Sequence, residues 1–146
     1  MTLRPPGNTP SFSQPAWIVD RMASAWLIRR FIDPEATFTF AERIPQNDEL
    51  VPFDMFGVEF GHRGDLCTYE TLMRAFGVAE AAVARIARIV HALDLRDAAP
   101  TDSETITIGR LVAGLRHANA ADEALLERGM SLFDALYHSF RSETAD

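Results

Sequence analysis

The sequence predicts an α/β fold, in which a small, mostly parallel sheet of three or four short strands from the N-terminal half is packed by about five helices. Two observations predict it. Runs of β-favouring residues at 17–19 and 37–40 lie on either side of an apolar helical segment at 21–32, which is the order of a right-handed parallel βαβ unit. Beyond residue 68, the chain carries helical periodicity and helix-ending residues instead.

The predicted strands all fall within the first 60 residues. The run at 17–19 forms the first, and Asp20 after it is a good N-cap for the helix at 21–32, which ends before Pro34. That helix is apolar almost all round, which is typical of a helix buried on most sides. The remaining strands are expected at 37–40, 51–54 and 58–60.

Four more helices are predicted in the second half of the chain. Thr68 is the expected cap of the first, and Gly77 follows its last residue, a position where glycine commonly ends a helix. Asp122 is the expected cap of the last. The four helices are expected at 68–76, 79–93, 103–117 and 122–140.

The composition indicates a soluble globular chain with one domain. Its 146 residues include 21 acidic and 14 basic side chains, for a net charge of −7, and 47% of them are hydrophobic. This acidic balance argues against a nucleic-acid-binding surface, which needs clustered positive charge. We expect a flexible lead-in at 1–15, rich in proline and small polar residues, and a single domain at 16–146.

Cysteine usage and hydropathy predict a cytoplasmic protein without a membrane span. The single cysteine, Cys67, excludes an internal disulfide framework and fits a reducing compartment. The first 15 residues lack the apolar run of a signal peptide, and no stretch approaches the roughly 18 apolar residues of a membrane helix. Every basic residue is arginine. Arginine suits planar contacts with oxyanions, but a GC-rich coding bias is the favoured explanation.

The segment 62–70 concentrates residue types that bind transition metals or act as acids, bases and nucleophiles. Its chemistry-bearing residues are His62, Asp65, Cys67 and Glu70, with Gly64 permitting a tight turn among them. Cys67 is a candidate nucleophile if a neighbour stabilises its thiolate, and an inert buried thiol is the favoured alternative. Taken alone, the segment is better explained as a capped loop than as a site.

A second pair of ligand-type residues, His91 and Asp94, lies at the end of the predicted helix 79–93. They are three residues apart and therefore share one side of the helix. Small residues beside them, Ala84 and Ala87, leave room for a ligand or a metal. The alternative is an ordinary histidine near a helix C-terminus, where the helix dipole favours the imidazolium.

Arg29 and Arg30 lie within the apolar helix 21–32, where buried guanidinium groups need carboxylates or a bound anion. Two interpretations stay open. One is an internal ion-pair network. The other is an oxyanion cradle, joined by Arg21, at the carboxyl ends of the strands, where ligands of open α/β sheets collect. The carboxylates available to such a network are Asp20, Asp33, Glu42 and Asp54.

Four motifs taken in order, at 19–34, 52–54, 62–70 and 89–97, resemble the C-terminal domain of the chromate resistance protein ChrB, also labelled a chromate resistance exported protein. The resemblance covers about residues 16–140. Full-length members carry a winged-helix-like region and act as chromate-responsive regulators, so the resemblance implies a link to chromate stress. We expect no nucleic-acid binding by this chain alone. The chain has Ser24 where the family often has a cysteine, which weakens any two-thiol redox scheme.

The leading functional hypothesis is a domain that binds a divalent metal ion (Zn, Fe or Mn), a chromate-like oxyanion, or both, in a sensing or handling role. The alternatives are a metal- or thiol-dependent enzyme acting through Cys67 and a non-catalytic interaction module; a homodimer fits each of them. The expected metal ligands are His62, Glu70, His91 and Asp94. The expected anion-binding residues are Arg21, Arg29 and Arg30. The expected supporting residues are Asp20, Asp33, Glu42, Asp54 and Asp65.

Overall fold

The computed structural model describes residues 2–4, 15–39, 50–54, 58–94, 99–118 and 121–145, and within these ranges the fold is mainly helical. The helices are α1 (Pro15–Leu27), α2 (Thr68–Phe76), α3 (Ala81–Asp94), α4 (Ser103–Ala118) and α5 (Asp122–Ala145). A π-helical turn, Ile28–Ile32, continues directly from α1. The strands are β1 (Thr2–Arg4), β2 (Thr37–Phe38) and β3 (Leu50–Pro52).

The predicted α/β class, with helices packed on a parallel sheet, is wrong. β1 pairs in parallel with β2 on one side and β3 on the other. These strands are only two or three residues long, however, and the described helices pack on one another instead. The segment 17–19, predicted as the first strand, lies in α1. A short apolar run has no period that separates a strand from a fully buried helix. Pro15, a favourable first residue of a helix, is the local signal for the helical alternative.

The other strand predictions are only partly met. The strand expected at 37–40 is confined to Thr37–Phe38, and the one expected at 51–54 is shifted to Leu50–Pro52. In place of a strand at 58–60, Phe60 makes an isolated bridge with Phe53. Within the predicted lead-in, Thr2–Arg4 forms β1, and residues 5–14 lie outside the described part of the chain.

Helix α1 lies at the centre of the helical core, in contact with α2, α3, α4 and α5. This confirms the burial predicted from its all-round apolar character. The polar side chains of α1 are therefore buried too, and each needs partners from neighbouring helices. The buried apolar residues of α1 are Ile18, Val19, Met22, Ala23, Ala25, Trp26 and Leu27.

The helices of the second half follow the predictions closely. α2 covers the predicted residues and ends at Gly77, whose φ of 65° is left-handed and whose N–H bonds back to the last turn. Its N-cap is Cys67 and not Thr68, which is the first helical residue. α5 runs on to Ala145, beyond the predicted end at 140. Among the helices of the described ranges, none has the length and apolar character needed to cross a membrane.

Helices α1 and α5 approach closely where Gly129 faces Met22. A Cβ atom built on Gly129 would collide with Cγ and Sδ of the buried Met22. We expect Gly129→Ala to lower the free energy of unfolding by about 1–3 kcal/mol, because the core must expand to admit the methyl group. Urea unfolding followed by circular dichroism measures this change.

Gly114 in α4 is the matched control, because it is exposed and nothing lies within 4 Å of a Cβ built on it. Gly114→Ala should raise the free energy of unfolding by about 0.5–1 kcal/mol through helix propensity. Equal effects of the two substitutions would contradict the close approach of α1 and α5.

Candidate functional site

The site is organised around the buried carboxylate of Asp20, midway along α1. Its Oδ2 accepts the backbone N–H of Thr68 (2.9 Å), and its Oδ1 accepts that of Tyr69 (3.0 Å). These N–H groups have no partner within α2, and the positive end of the helix dipole favours a carboxylate there. Ser24, one turn further along α1, donates to Oδ1 at 3.3 Å. Asp20 therefore caps α2, and not its own helix as predicted.

A second buried carboxylate, Asp54, lies beside the first. It accepts Thr68 Oγ1–H at Oδ1 (2.8 Å) and Arg21 Nε–H at Oδ2 (3.1 Å). Its φ of 52° is uncommon for a residue other than glycine and is held by the bond from its N–H to the carbonyl of Phe60 (2.8 Å). Burial and the neighbouring charge of Asp20 raise the pKa of Asp54 to about 8, against the opposing effects of Arg21 and Thr68.

His62 joins this pair to Asp94 at the end of α3. Its Nε2 lies 2.9 Å from Asp20 Oδ2 and 2.8 Å from Asp94 Oδ2. The imidazole is 36% exposed, whereas the Asp94 side chain is 3% exposed. Despite the short distance, Asp94 Oδ2 is a buried oxygen without a hydrogen-bond partner. The hydrogen bond to Asp20 and the nearby Asp94 raise the pKa of His62 to about 10, while burial raises the pKa of Asp94.

Cys67, Glu70 and His91 form a neighbouring group. His91 Nδ1 lies 2.6 Å from Glu70 Oε1, and the same oxygen accepts the N–H of Cys67 at 3.1 Å. Cys67 is fully buried, and this burial, with the charge of Asp20, raises the pKa of its thiol. A neutral thiol is a poor nucleophile, so the environment favours the inert role over the catalytic one.

The predicted metal ligands thus fall into two separate groups near the N-terminus of α2. One ligand atom each from Asp20, Asp54 and His62 lie within 4.8 Å of one another, and the same holds for Cys67, Glu70 and His91. Asp94 joins the first group through His62. His62 and His91, expected to share one centre, therefore belong to different groups.

The predicted anion-binding arginines do not converge. Arg21 is buried beside Asp54, whereas Arg29 and Arg30 lie in the π-helical turn and face α5. Arg29 Nη1 lies 3.2 Å from Glu127 Oε1. Arg30 donates from Nε and Nη2 to both carboxylate oxygens of Asp134, each at 2.8 Å. The last two arginines are therefore ion-paired, but with acids of α5 and not with Asp20, Asp33 or Asp54, which the sequence offered as partners.

The remaining supporting residues lie apart from both groups or outside the described chain. Asp33 follows the π-helical turn and accepts the N–H of Glu35 at 3.1 Å. Asp65 is exposed on the turn at Gly64, whose φ is 57°. Glu42 lies outside the residues that the structure describes.

Sequence reasoning missed the role of Thr68. Its N–H binds Asp20 and its hydroxyl binds Asp54, so one residue holds two buried carboxylates together. The sequence predicted Thr68 as the N-cap of α2, whereas the N-cap is Cys67, one residue earlier. No local signal links Thr68 to Asp20, which precedes it by 48 residues.

Together, the fold and the site define a small helical domain with carboxylate and histidine side chains buried around one helix N-terminus. The chain belongs to the family described as ChrB, C-terminal domain, which matches residues 13–140; this confirms the resemblance carried by the four motifs. Protein ChrB of Cupriavidus metallidurans is 40% identical to it over 126 residues, which cover 85% of this chain. The chain spans only 38% of that relative. No solved structure matches it.

The raised pKa of His62 predicts how stability depends on pH. The folded state holds the imidazolium up to about pH 10, whereas the unfolded chain releases that proton near pH 6.5. Its contribution is therefore complete below pH 6.5 and is lost as the pH rises through 10. Between pH 7 and 10, without metal, we expect the melting temperature of the wild type to fall about 2–4 °C more than that of His62→Gln, allowing for solvent screening.

This comparison cancels the groups common to both proteins, such as Asp54 and Cys67, whose raised pKa values also make stability change with pH. Parallel pH profiles for the wild type and His62→Gln would show that the imidazole has no such role.

The burial of Cys67 predicts low reactivity. We expect Ellman's reagent to label the native thiol at least roughly 100-fold more slowly than the thiol of the urea-unfolded chain, because both access and thiolate formation are suppressed. The unfolded sample serves as the control for the number of thiols. Rapid labelling of the native protein would restore Cys67 as a candidate nucleophile.

Proposed function

We propose that this domain binds a divalent transition-metal ion through His62, Asp20 and Asp94, in a protein linked to chromate resistance through its family. One observation carries the proposal. Nε2 of His62 lies within 2.9 Å of carboxylate oxygens from two different helices, yet it has at most one proton to donate. The Asp94 oxygen is buried and accepts no hydrogen bond. A cation shared with His62 and Asp20 would give this Asp94 oxygen a partner.

The charges around His62 favour a cation. Three carboxylates, those of Asp20, Asp54 and Asp94, lie there with their side chains almost fully buried. With all three carboxylates ionised, Arg21 and a protonated His62 leave one negative charge in excess; at neutral pH a proton on Asp54, whose pKa is raised to about 8, removes that excess, and a bound cation would do so in its place. Buried charge without a partner is costly. The same cost raises the pKa values of Asp54 and Asp94, because burial and the charge of Asp20 disfavour their ionised forms.

The donor set suits zinc, iron or manganese. Imidazole nitrogen with carboxylate oxygens is a common combination for all three ions. Nε2 lies 2.9 and 2.8 Å from the two oxygens, and Asp20 and His62 also belong, with Asp54, to a group whose ligand atoms lie within 4.8 Å of one another. Small side-chain shifts would bring such atoms to the roughly 3 Å that separates neighbouring ligands of one ion. Thr68, through its N–H to Asp20, would orient one ligand, as outer-shell hydrogen bonds do at metal sites.

The same geometry disfavours an oxyanion at this position. A dianion such as chromate would be repelled by the buried carboxylates, and Arg29 and Arg30 are already matched by acids of α5. Thiol chemistry is disfavoured by the buried, neutral Cys67. Because the chain spans 38% of the relative ChrB, the proposal is that the domain supplies a metal-dependent contribution to a larger chromate-response protein.

Calorimetric titration of chelator-treated, untagged protein with Zn²⁺ and with Mn²⁺ tests the proposal. We expect one ion per chain, and a loss of at least about tenfold in affinity for His62→Gln and for Asp94→Asn, since each removes one ligand. The affinity should rise with pH, because the ion displaces the proton held by His62.

Asp65→Asn is the matched control, because Asp65 is an exposed carboxylate of the same segment, and it should bind like the wild type. The melting temperature of each variant without metal is measured beside its affinity, so that loss of binding is separated from loss of folding. If the wild type binds neither Zn²⁺ nor Mn²⁺ at one ion per chain, the proposal is wrong. Loss of binding in His91→Gln alone would move the ion to the group of Cys67, Glu70 and His91.

A further inference from the structure

We infer that the groove between α2 and α3 binds a small organic acid, with an apolar body along the groove and an anionic head held by Arg74 and Arg88. The groove is open to solvent and has a volume of about 580 Å³. Sites for small molecules typically fall between about 300 and 1,000 Å³ and combine apolar walls with a few polar groups. None of its residues belongs to the proposed metal centre, so the two proposals stand or fall separately.

The walls of the groove are apolar. On α3, Ala84 and Ala87 lie on one face of the helix, and their small side chains leave the space that a larger residue would fill. The opposite wall comes from residues in and around α2. The apolar residues of that wall are Leu66, Met73 and Val78.

Arg74 and Arg88 give the groove a positive rim. Both are exposed and line the groove, and within the described part of the chain neither side chain has a carboxylate within 4 Å. Arg30 and Arg85 are matched by acids, and Arg110 and Arg128, which also lack an acidic partner among the described residues, do not line the groove. Two unmatched guanidinium groups beside one apolar groove favour a ligand that brings its own negative charge.

Glu70 also lines the groove, but its carboxylate does not lie within 4 Å of either guanidinium group. Its Oε1 is engaged by Nδ1 of His91 and by the N–H of Cys67. Arg74 lies one helical turn beyond Glu70 on α2, and Arg88 lies one turn before His91 on α3. The anionic head therefore has two guanidinium groups to meet, while the carboxylate of the groove is held by its own partners.

The dimensions favour a small molecule over a docked helix. α2 has nine residues, so the groove alongside it is about 13 Å long. Stable protein partners usually cover about 800 Å² on each side, which needs a longer surface. An apolar chain of about eight carbons with one carboxylate fits the length.

Octanoate is the probe for this assignment, and ¹H–¹⁵N NMR titration measures its binding at the Gly77 amide, which borders the groove. We expect saturable shifts, with the dissociation constant raised about three- to tenfold in Arg74→Gln and in Arg88→Gln. Ala84→Leu, which fills the groove, should abolish binding while the melting temperature stays within a few degrees of the wild type.

Arg110→Gln and Arg128→Gln are the matched controls, because both arginines are exposed on α4 and α5, away from the groove, and both variants should bind octanoate like the wild type. Equal binding of neutral 1-octanol would overturn the role of the arginines. Octanoate binding that survives Ala84→Leu, or an acidic helical peptide that binds more tightly than octanoate, would overturn the assignment of the groove to a small acid.

Discussion

The contact between the Asp20 carboxylate and the N-terminus of α2 is the interaction on which the rest of the structure depends. Asp20 is buried in the central helix, where a carboxylate is costly unless it is hydrogen-bonded and paired. Thr68, Tyr69 and His62 meet that requirement. The same bonds fix where α2 begins relative to α1, and so they set the positions of Cys67 and Glu70. The candidate site is thus held rigid by the bonds that assemble the core.

Capping and helix-ending residues allowed the helices of the second half to be predicted from sequence. The run at 17–19 has no such residue, and it was predicted as a strand although it lies in α1. Gly77 ends α2 because its backbone adopts the left-handed conformation that glycine tolerates, a property of one residue. The run at 17–19 carries no such property. Its β-favouring residues lie in a helix because α1 is surrounded by four other helices, and that environment is set by residues far along the chain. The βαβ interpretation followed from that one misassigned run.

In the candidate site, too, sequence predicts what lies within one short segment but not which distant segments come into contact. The sequence predicted one centre for His62, Glu70, His91 and Asp94, because two short segments carry them. The structure places His62 with Asp20 and Asp54, and His91 with Cys67 and Glu70, a separation that depends on tertiary contacts. Asp20 acts on a helix 48 residues away, and the positive φ of Asp54 is imposed by tertiary contacts. Neither the contact of Asp20 with α2 nor the backbone conformation of Asp54 can be predicted from the spacing of residues in the sequence.

The distribution of arginines favours a cation over an anion at the proposed site, whereas an oxyanion cradle was one of the two interpretations open from the sequence. A π-helical turn changes the direction in which Arg29 and Arg30 project, and both meet acids of α5. Only Arg21 of the three stays beside the buried carboxylates, too few guanidinium groups to balance them. Arg74 and Arg88, for which the described residues supply no carboxylate within 4 Å, lie instead beside the α2–α3 groove. Helix α2 therefore separates a negative interior from a positive groove, and Glu70 and His91 lie at the boundary between these two environments.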